Sequence, residues 1–377
     1  MINKICIYAI CKNEIKFVDK WLDSMSEADY IVVLDTGSTD GTYERLKSDP
    51  RVTRVEQKKI KPWRFDKARN ASLKLVPDDA NILFCTDLDE LLEPGWGDLI
   101  RNNWTEHTTR GHYRYIWSHT SAGNPGLTFW YDKMHSKDYK WYYPVHEVLG
   151  GLDCQEGMDA REKSGSLIDF GDAITLHHYP DNTKSRSNYL KLLELREEEN
   201  PDEAYSAYLL GREYAVYQQY DKALEMFDKT LSLPDVNHKP LVKYIVLGYE
   251  GDIYRLKGDV LTAITCYSSQ IVEDSTYREP YIELADLYNQ LGLYHISLGY
   301  SEEALTRSYQ HFDWTEREAT WNEKPCDVLS VTYFRLGELD LALENVVRAM
   351  QLNPKDQRIQ RNYLAILEKK REQANQN

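Results

Sequence analysis

The chain has 377 residues, of which 42% are hydrophobic and 28% charged, and its 46 basic and 61 acidic residues leave a net charge of −15. That length exceeds what one hydrophobic core usually serves and predicts two domains, while the acidic balance excludes an extended nucleic-acid or anionic-membrane surface. None of the six cysteines stands in a Cys-x-x-Cys pair, no apolar run approaches the ~20 residues of a membrane span and residues 1–10 lack the pattern of a signal peptide, so the expectation is a cytoplasmic, not transmembrane, protein without a structural zinc.

Residues 4–11 form a short apolar run, read as a strand, and residues 15–25 carry Phe17, Val18, Trp21, Leu22 and Met25 at helical spacing. A second strand at 30–34 runs into Asp35-Thr36-Gly37-Ser38-Thr39-Asp40-Gly41-Thr42, dense in turn formers and closing on a helix start. A third strand is expected at 51–56, then a helix through Val76 that carries Arg69 and Asn70. A fourth strand, Ile82-Leu83-Phe84-Cys85, ends in Thr86-Asp87-Leu88-Asp89-Glu90. This β-α-β-α-β-α-β alternation predicts a largely parallel sheet with helices on its faces. Asp35 and the Asp87/Asp89 pair then project from strand ends at one edge, where open α/β sheets bind ligands. Carboxylates two apart share a face and suit a hard divalent cation on a diphosphate.

Taken together, Val33 to Thr42, Phe65-x-x-Ala68-Arg69-Asn70 and Asp87-Leu88-Asp89-Glu90 resemble the family 2 glycosyltransferases of GT-A fold. The resemblance covers about half of the chain. It implies a Rossmann-like mixed α/β sheet that binds a nucleotide-diphosphate sugar, with UDP-sugar as donor, Mn2+ or Mg2+ as cofactor and an inverting transfer. It further implies that Ala9, Asn13 and Glu14 line the base pocket and that Asp35 contacts base or ribose. Arg69 then lies near the nucleotide, Asp87 handles donor sugar and ribose, and Asp89 ligates the metal.

Residues 111–148 are crowded with aromatic rings, read mostly as a packed hairpin layer. They end in His146-Glu147, which resembles a recurrent element of the same family. An inverting transfer needs a general base, and Glu147 and His146 are the candidates alongside catalytic Asp89. Residues 150–171 read as a surface loop over the site. A strand at 172–176 leads to His177-His178-Tyr179-Pro180-Asp181. The resemblance implies that a histidine here completes the metal site, His178 by its spacing, with His177 as the alternative. Lys184 and Arg186 are then placed to neutralise the departing diphosphate.

From Tyr189 the texture changes to Leu, Glu, Ala, Tyr and Lys at helical spacing. Gly211, Tyr214, Ala223 and Phe227 recur with the same offsets as Gly251, Tyr254, Ala263 and Tyr267, as Ala285, Tyr288 and Ser297, and as Ser330, Tyr333 and Ala342. This resembles the tetratricopeptide repeat (TPR), a two-helix unit. The expected division is therefore a catalytic domain over residues 1–187 and an all-α repeat solenoid over 188–377, ending in a capping helix to about Lys370 and a frayed tail. The repeats offer a surface for peptides or for homodimerisation. The acceptor is expected to be a peptide, a protein or a glycan. Two other readings stand beside the transferase: a nucleotidyltransferase or nucleotide-sugar hydrolase on a similar sheet, and a repeat scaffold whose first domain is inactive.

Overall fold

The structure is a computed structural model that describes residues 3–119, 123–152, 166–181, 188–307 and 318–376. It divides into two units, Met1–Asp202 and Glu203–Asn377.

The first unit opens with β1 (Ile5–Cys11), α1 (Ile15–Ser24), β2 (Tyr30–Asp35), α2 (Thr42–Ser48), β3 (Arg54–Gln57), α3 (Phe65–Leu73) and β4 (Ile82–Cys85). Every residue of β1 is buried, because it pairs in parallel with β2 on one side and β4 on the other. Both of its faces are covered, which is why this strand reads as a continuous apolar run and not an alternation. Ile5, Ile7, Ala9 and Cys11 join Val18, Trp21 and Leu22 of α1 in one core layer. Cys6, Tyr8 and Ile10 join Ala68 of α3 in the other. Trp21 is fully buried and donates its indole N–H to Thr86 Oγ1 at 3.1 Å, tying α1 to the end of β4.

The chain continues through β5 (Glu90–Leu92), α4 (Trp96–Asn103), β6 (Thr108–Ile116), β7 (Thr128–His135), β8 (Tyr139–Tyr142), β9 (Val148–Gly151), β10 (Ser166–Asp169), β11 (Thr175–His178) and α5 (Tyr189–Glu199). The main sheet has the order β3-β2-β1-β4-β7-β6-β11-β5, with β10 alongside β6. Only its first four strands are all parallel. β7 enters antiparallel between β4 and β6, so the largely parallel sheet expected from the alternation is instead mixed. The reason is that the local β-α rhythm ends at β4, and the later pairings join distant segments. β8 and β9 form a separate hairpin, packed with α3 through Trp141 and Tyr139. The strand expected at 172–176 begins later, at Thr175, behind a 3-10 turn over Gly171–Ala173. The surface loop expected at 150–171 is interrupted: Gly150 and Gly151 belong to β9, and β10 pairs in parallel with the start of β6. Residues 153–165 lie outside the described residues.

The division after Asp202 leaves α5 in the first unit, where the expected boundary at 187/188 would have assigned it to the repeats. Arg196 explains the attachment: it is fully buried, donates to the carbonyls of Val145 and His146, and lies 3.8 Å over the Tyr143 ring.

The second unit is helical: α6 (Ala204–Val216), α7 (Tyr220–Ser232), α8 (Pro240–Leu256), α9 (Val260–Glu273), α10 (Glu279–Gln290), α11 (Tyr294–Thr306), α12 (Glu318–Trp321), α13 (Lys324–Leu336), α14 (Leu339–Leu352) and α15 (Gln357–Gln376). The repeat register maps onto antiparallel pairs. Ala223, Ala263, Ser297 and Ala342, one per pair, are all fully buried. Opposite them, a Cβ on Gly211 or Gly251 would meet the Phe227 or Tyr267 ring at 2.7 Å. Small residues thus bring the two helices of a pair together, and a ring fills the space beside them. The expected frayed tail after Lys370 is helical to Gln376. No described helix is long and apolar enough to cross a membrane.

Candidate active site at the carboxyl edge of the sheet

Two loops meet beyond the ends of β1 and β2. Asn13, in the left-handed region at φ 55°, donates its N–H to Ser38 Oγ and accepts from the Thr39 N–H, each at 2.8 Å. Glu14 donates its N–H to Thr42 Oγ1 at 2.8 Å. Asp35 is fully buried. Its Oδ1 accepts from the Gly37 and Ser38 amides at 2.8 Å and from Gln57 at 2.9 Å. Burial would raise its carboxyl; the bonds from Ser38, Gln57 and Gly37 outweigh that and hold it below the usual range. The first task of Asp35 is therefore to shape its own turn, and its Oδ2 faces the Cys11 thiol at 3.5 Å. Ala9 does not line the edge with its side chain: it sits opposite Val33, two residues short of the strand end, with its methyl in the core.

Beyond β4 lies a buried charge cluster. Arg69 grips Asp87 with both terminal nitrogens at 3.0 and 3.1 Å and donates Nε to Glu147 Oε1 at 2.5 Å. Its guanidinium also lies 5.1 Å from the Trp141 ring, which the neighbouring Asn70 holds by two hydrogen bonds to the Trp141 backbone. Lys133, on β7 and buried, reaches Glu90 Oε1 at 2.9 Å and Asp87 Oδ2 at 3.6 Å. Glu90 is also buried; it accepts from Tyr115 OH at 2.7 Å and from the Asp87 N–H at 2.9 Å. Burial opposes both charges here. The Arg69 and Lys133 cations overcome it at Asp87, which is held far below the usual carboxylate range. Glu90 and Asp87 likewise overcome it at Lys133, which stays well above the ordinary ammonium value.

Asp89 follows on the same loop. Pairing of β11 with β5 sets His178 opposite Glu90 and brings its Nε2 to 3.5 Å from Asp89 Oδ2. His178 Nδ1 is held by the Trp117 carbonyl at 3.1 Å. Burial pulls the imidazole down, but the hydrogen bond and charge of Asp89, with Glu90 behind, raise it above the ordinary histidine value. His177 points elsewhere: its Nε2 meets Glu93 at 2.8 Å and its Nδ1 meets His119 at 3.0 Å. Of the two histidines, His178 is therefore the one beside Asp89. A backbone carbonyl fixing the second ring nitrogen is the usual support of a ligating imidazole. Asp87, Asp89, Glu90 and Glu147 outnumber Arg69 and Lys133, so the cluster favours a cation. Among the described residues no three His, Cys, Asp or Glu side chains converge as a metal cage.

Glu147 is committed to Arg69, and His146, at φ 48°, has its Nε2 3.3 Å from Tyr189 OH. Lys184 and Arg186 lie outside the described residues. Lys133 was not legible as a site residue, although it shares the strand phase of Phe129 and Tyr131, an inward position for a cation. Its placement also depends on a bulge: Gly111 faces Met134 while Tyr113 faces Tyr131, so β7 carries one extra residue there.

No family model matches the chain. Among curated proteins, the TPR repeat-containing protein MJ1428 of Methanocaldococcus jannaschii is 24% identical over 259 residues, covering 60% of this chain and 43% of that protein. The chain thus spans less than half the length of that relative. Solved structures with similar helices include the thermophilic TPR protein TTC0263 of Thermus thermophilus, at 22% identity over 48% of this chain and 90% of that one, with a TM-score of 0.34. The first TPR domain of human RPAP3 is 18% identical over 36% of this chain and 97% of that one, with a TM-score of 0.31. The second unit is an array of antiparallel helix pairs, similar to that expected of TPR repeats. The first is an α/β domain built on a mixed sheet.

Proposed function

We propose that the first unit is a metal-dependent, inverting glycosyltransferase of GT-A type that takes a sugar from a UDP-sugar. The observation that carries this reading is the pairing of Asp89 with His178, 3.5 Å apart at the ends of distant strands, beside an Asp87 already saturated by Arg69. Two protein ligands, one carboxylate and one imidazole, fit a Mn2+ or Mg2+ that takes its remaining ligands from a diphosphate and water. The excess of carboxylates in the cluster supports a cation in the same place. The metal would offset charge on the leaving diphosphate; Asp89 and His178 would hold it, and the Asp35 turn would shape the floor under the nucleotide. The acceptor is a hydroxyl or thiol of a peptide, protein or glycan. The repeat unit would supply a peptide-binding or dimerising surface, a reading supported by its helix-pair register.

Calorimetric titration with UDP and Mn2+, followed by incubation with labelled UDP-sugars, tests this. Wild-type chain should bind UDP only with the metal and pass label to an acceptor, and Asp89→Ala should lose both. Retained turnover in Asp89→Ala overturns the assignment. Release of free sugar phosphate points to a hydrolase or nucleotidyltransferase, and absence of both UDP and Mn2+ binding points to a scaffold.

A further inference from the structure

A row of aromatic rings runs from the core of the first unit to the edge of its sheet. Tyr113, Tyr115 and Trp117 alternate along β6 and its extension, where the Trp117 N–H still donates to the Leu127 carbonyl at 2.9 Å, so the three share one face. Tyr113 packs on Phe84 at 4.9 Å and Tyr115 on Phe129 at 5.1 Å, and both tyrosines are buried. Trp117 carries the row out to solvent. Its ring abuts three others, His178 at 4.6 Å, Tyr115 at 6.2 Å and Phe129 at 6.4 Å, yet the residue stays 41% exposed. A ring mounted on three others loses little freedom on binding and so presents a preorganised surface. Trp130 supplies the comparison. It is 47% exposed, but the register sets Arg114 opposite Trp130 and Tyr115 opposite Phe129, which turns Trp130 to the other side of the sheet, against His112 at 6.0 Å.

The place of Trp117 decides what reaches it. β6 lies between β11, which brings His178, and β7, beyond which β4 brings Asp87 and Asp89. Trp117 therefore leaves the sheet between the two halves of the proposed metal pair, and its carbonyl accepts from His178 Nδ1 at 3.1 Å. The Asp35 turn follows β2, four strands away from β6. At ~4.8 Å per strand that is ~19 Å, too far for a base seated at the Asp35 turn to stack on Trp117. A nucleotide sugar is linear in its connectivity: base, ribose, diphosphate, sugar. With the base end at β2 and the diphosphate at Asp89 and His178, the group next along is the sugar. One face of a pyranose shows C–H bonds while its hydroxyls point outward round the ring, so that face suits a flat aromatic surface.

We propose that Trp117 is the stacking surface for the sugar ring of the nucleotide-sugar donor. This rests on the transferase reading above. Stacking fixes the plane of the sugar at one end while Asp89 and His178 hold the diphosphate at the other through the cation. Together the two contacts set the direction in which the anomeric carbon faces the acceptor.

Calorimetry without acceptor, in Mn2+, compares UDP with UDP-glucose, UDP-galactose and UDP-N-acetylglucosamine. Trp117→Leu should bind UDP–Mn2+ within about twofold of the wild type, which shows the metal pair intact, and should bind the best of the UDP-hexoses ~3–10-fold more weakly. Trp117→Phe keeps a ring on the same mount and should recover most of that loss. Trp130→Leu removes a similarly exposed ring from the other face and should match the wild type. In saturation-transfer NMR of the wild type, irradiation of the protein's aromatic protons should reach the C–H protons of the hexose, and Trp117→Leu should lose that signal. An unchanged UDP-hexose affinity in Trp117→Leu overturns the stacking and leaves the transferase reading in place. So does a loss that falls equally on UDP, a loss confined to the KM of the acceptor, or a wild-type hexose that receives no aromatic saturation. If the wild-type chain binds neither UDP–Mn2+ nor any UDP-hexose, the transferase reading falls and the stacking with it.

Discussion

Arg69 holds both oxygens of Asp87, at 3.0 and 3.1 Å, while the same guanidinium donates to Glu147. One side chain on α3 thereby joins the loop after β4 to the segment before β9, and the geometry suits only a planar, forked cation. Arg69→Met removes the partner of the half-buried Glu147 and leaves Asp87 with Lys133 alone, and should cost ~3 kcal/mol. Arg69→Lys keeps the charge and loses the fork, so it should fall between. Urea unfolding at pH 7 reads both, and a loss below ~1 kcal/mol in Arg69→Met would show that the cluster does not act as a unit.

Packing of the repeats supplies a paired prediction. A Cβ at Gly211 or Gly251 meets an aromatic ring at 2.7 Å, whereas one at Gly299, in α11, meets nothing within 4 Å. Gly211→Ala and Gly251→Ala should each destabilise by ~1–3 kcal/mol through overpacking. Gly299→Ala should stabilise by ~0.5–1 kcal/mol, because alanine is the better helix former. Thermal melts of the three variants decide it; equal shifts at Gly251 and Gly299 would contradict the close approach of α8 and α9.

Glu250 breaks the repeat pattern. The residue before each small residue of the first helix is Leu210, Glu250, Leu284 or Leu329, and Glu250 is buried like the leucines. Burial, and then the charge of Asp228 on α7, push its carboxyl up to about 7 from an ordinary value of 4.5. A carboxyl whose folded value lies above its unfolded value contributes stability below pH 4.5 and loses it as pH rises toward 7. Cys266 on α9 and Tyr254 on α8 also face this carboxylate. Glu250→Leu should flatten the pH dependence of unfolding and stabilise the chain by ~3 kcal/mol at pH 8. Parallel pH profiles for the two chains between pH 4.5 and 8 would rule this out.

Much of the architecture was written locally. Apolar runs ending in Asp35 and in Asp87–Asp89 announced strands of the sheet interior, because a strand covered on both faces has no polar alternation to hide it. The repeat register was equally legible, since close helix contact demands small residues at fixed offsets. The Arg69-Asn70 element was legible as a site feature, but not its division of labour, in which Arg69 binds carboxylates and Asn70 clamps the Trp141 backbone.

What the tertiary structure decided concerns residues brought together from far apart. Asp87 and Asp89 stand two positions apart, but the side that each faces is settled by partners more distant in sequence: Arg69 and Lys133 for Asp87, His178 for Asp89. The choice of His178 over His177 follows from the antiparallel pairing of β11 with β5, and a shift of one residue would have exchanged them. Lys133 enters the cluster because β7 inserts between β4 and β6 and carries a bulge. The Glu93–His177–His119 series joins three chain segments whose spacing encodes nothing. By itself the sequence determined which short segments must be buried and where carboxylates leave them; only strand pairing across long chain separations decided which charges meet, because hydrogen-bond register and burial act on the assembled sheet and not on any one segment.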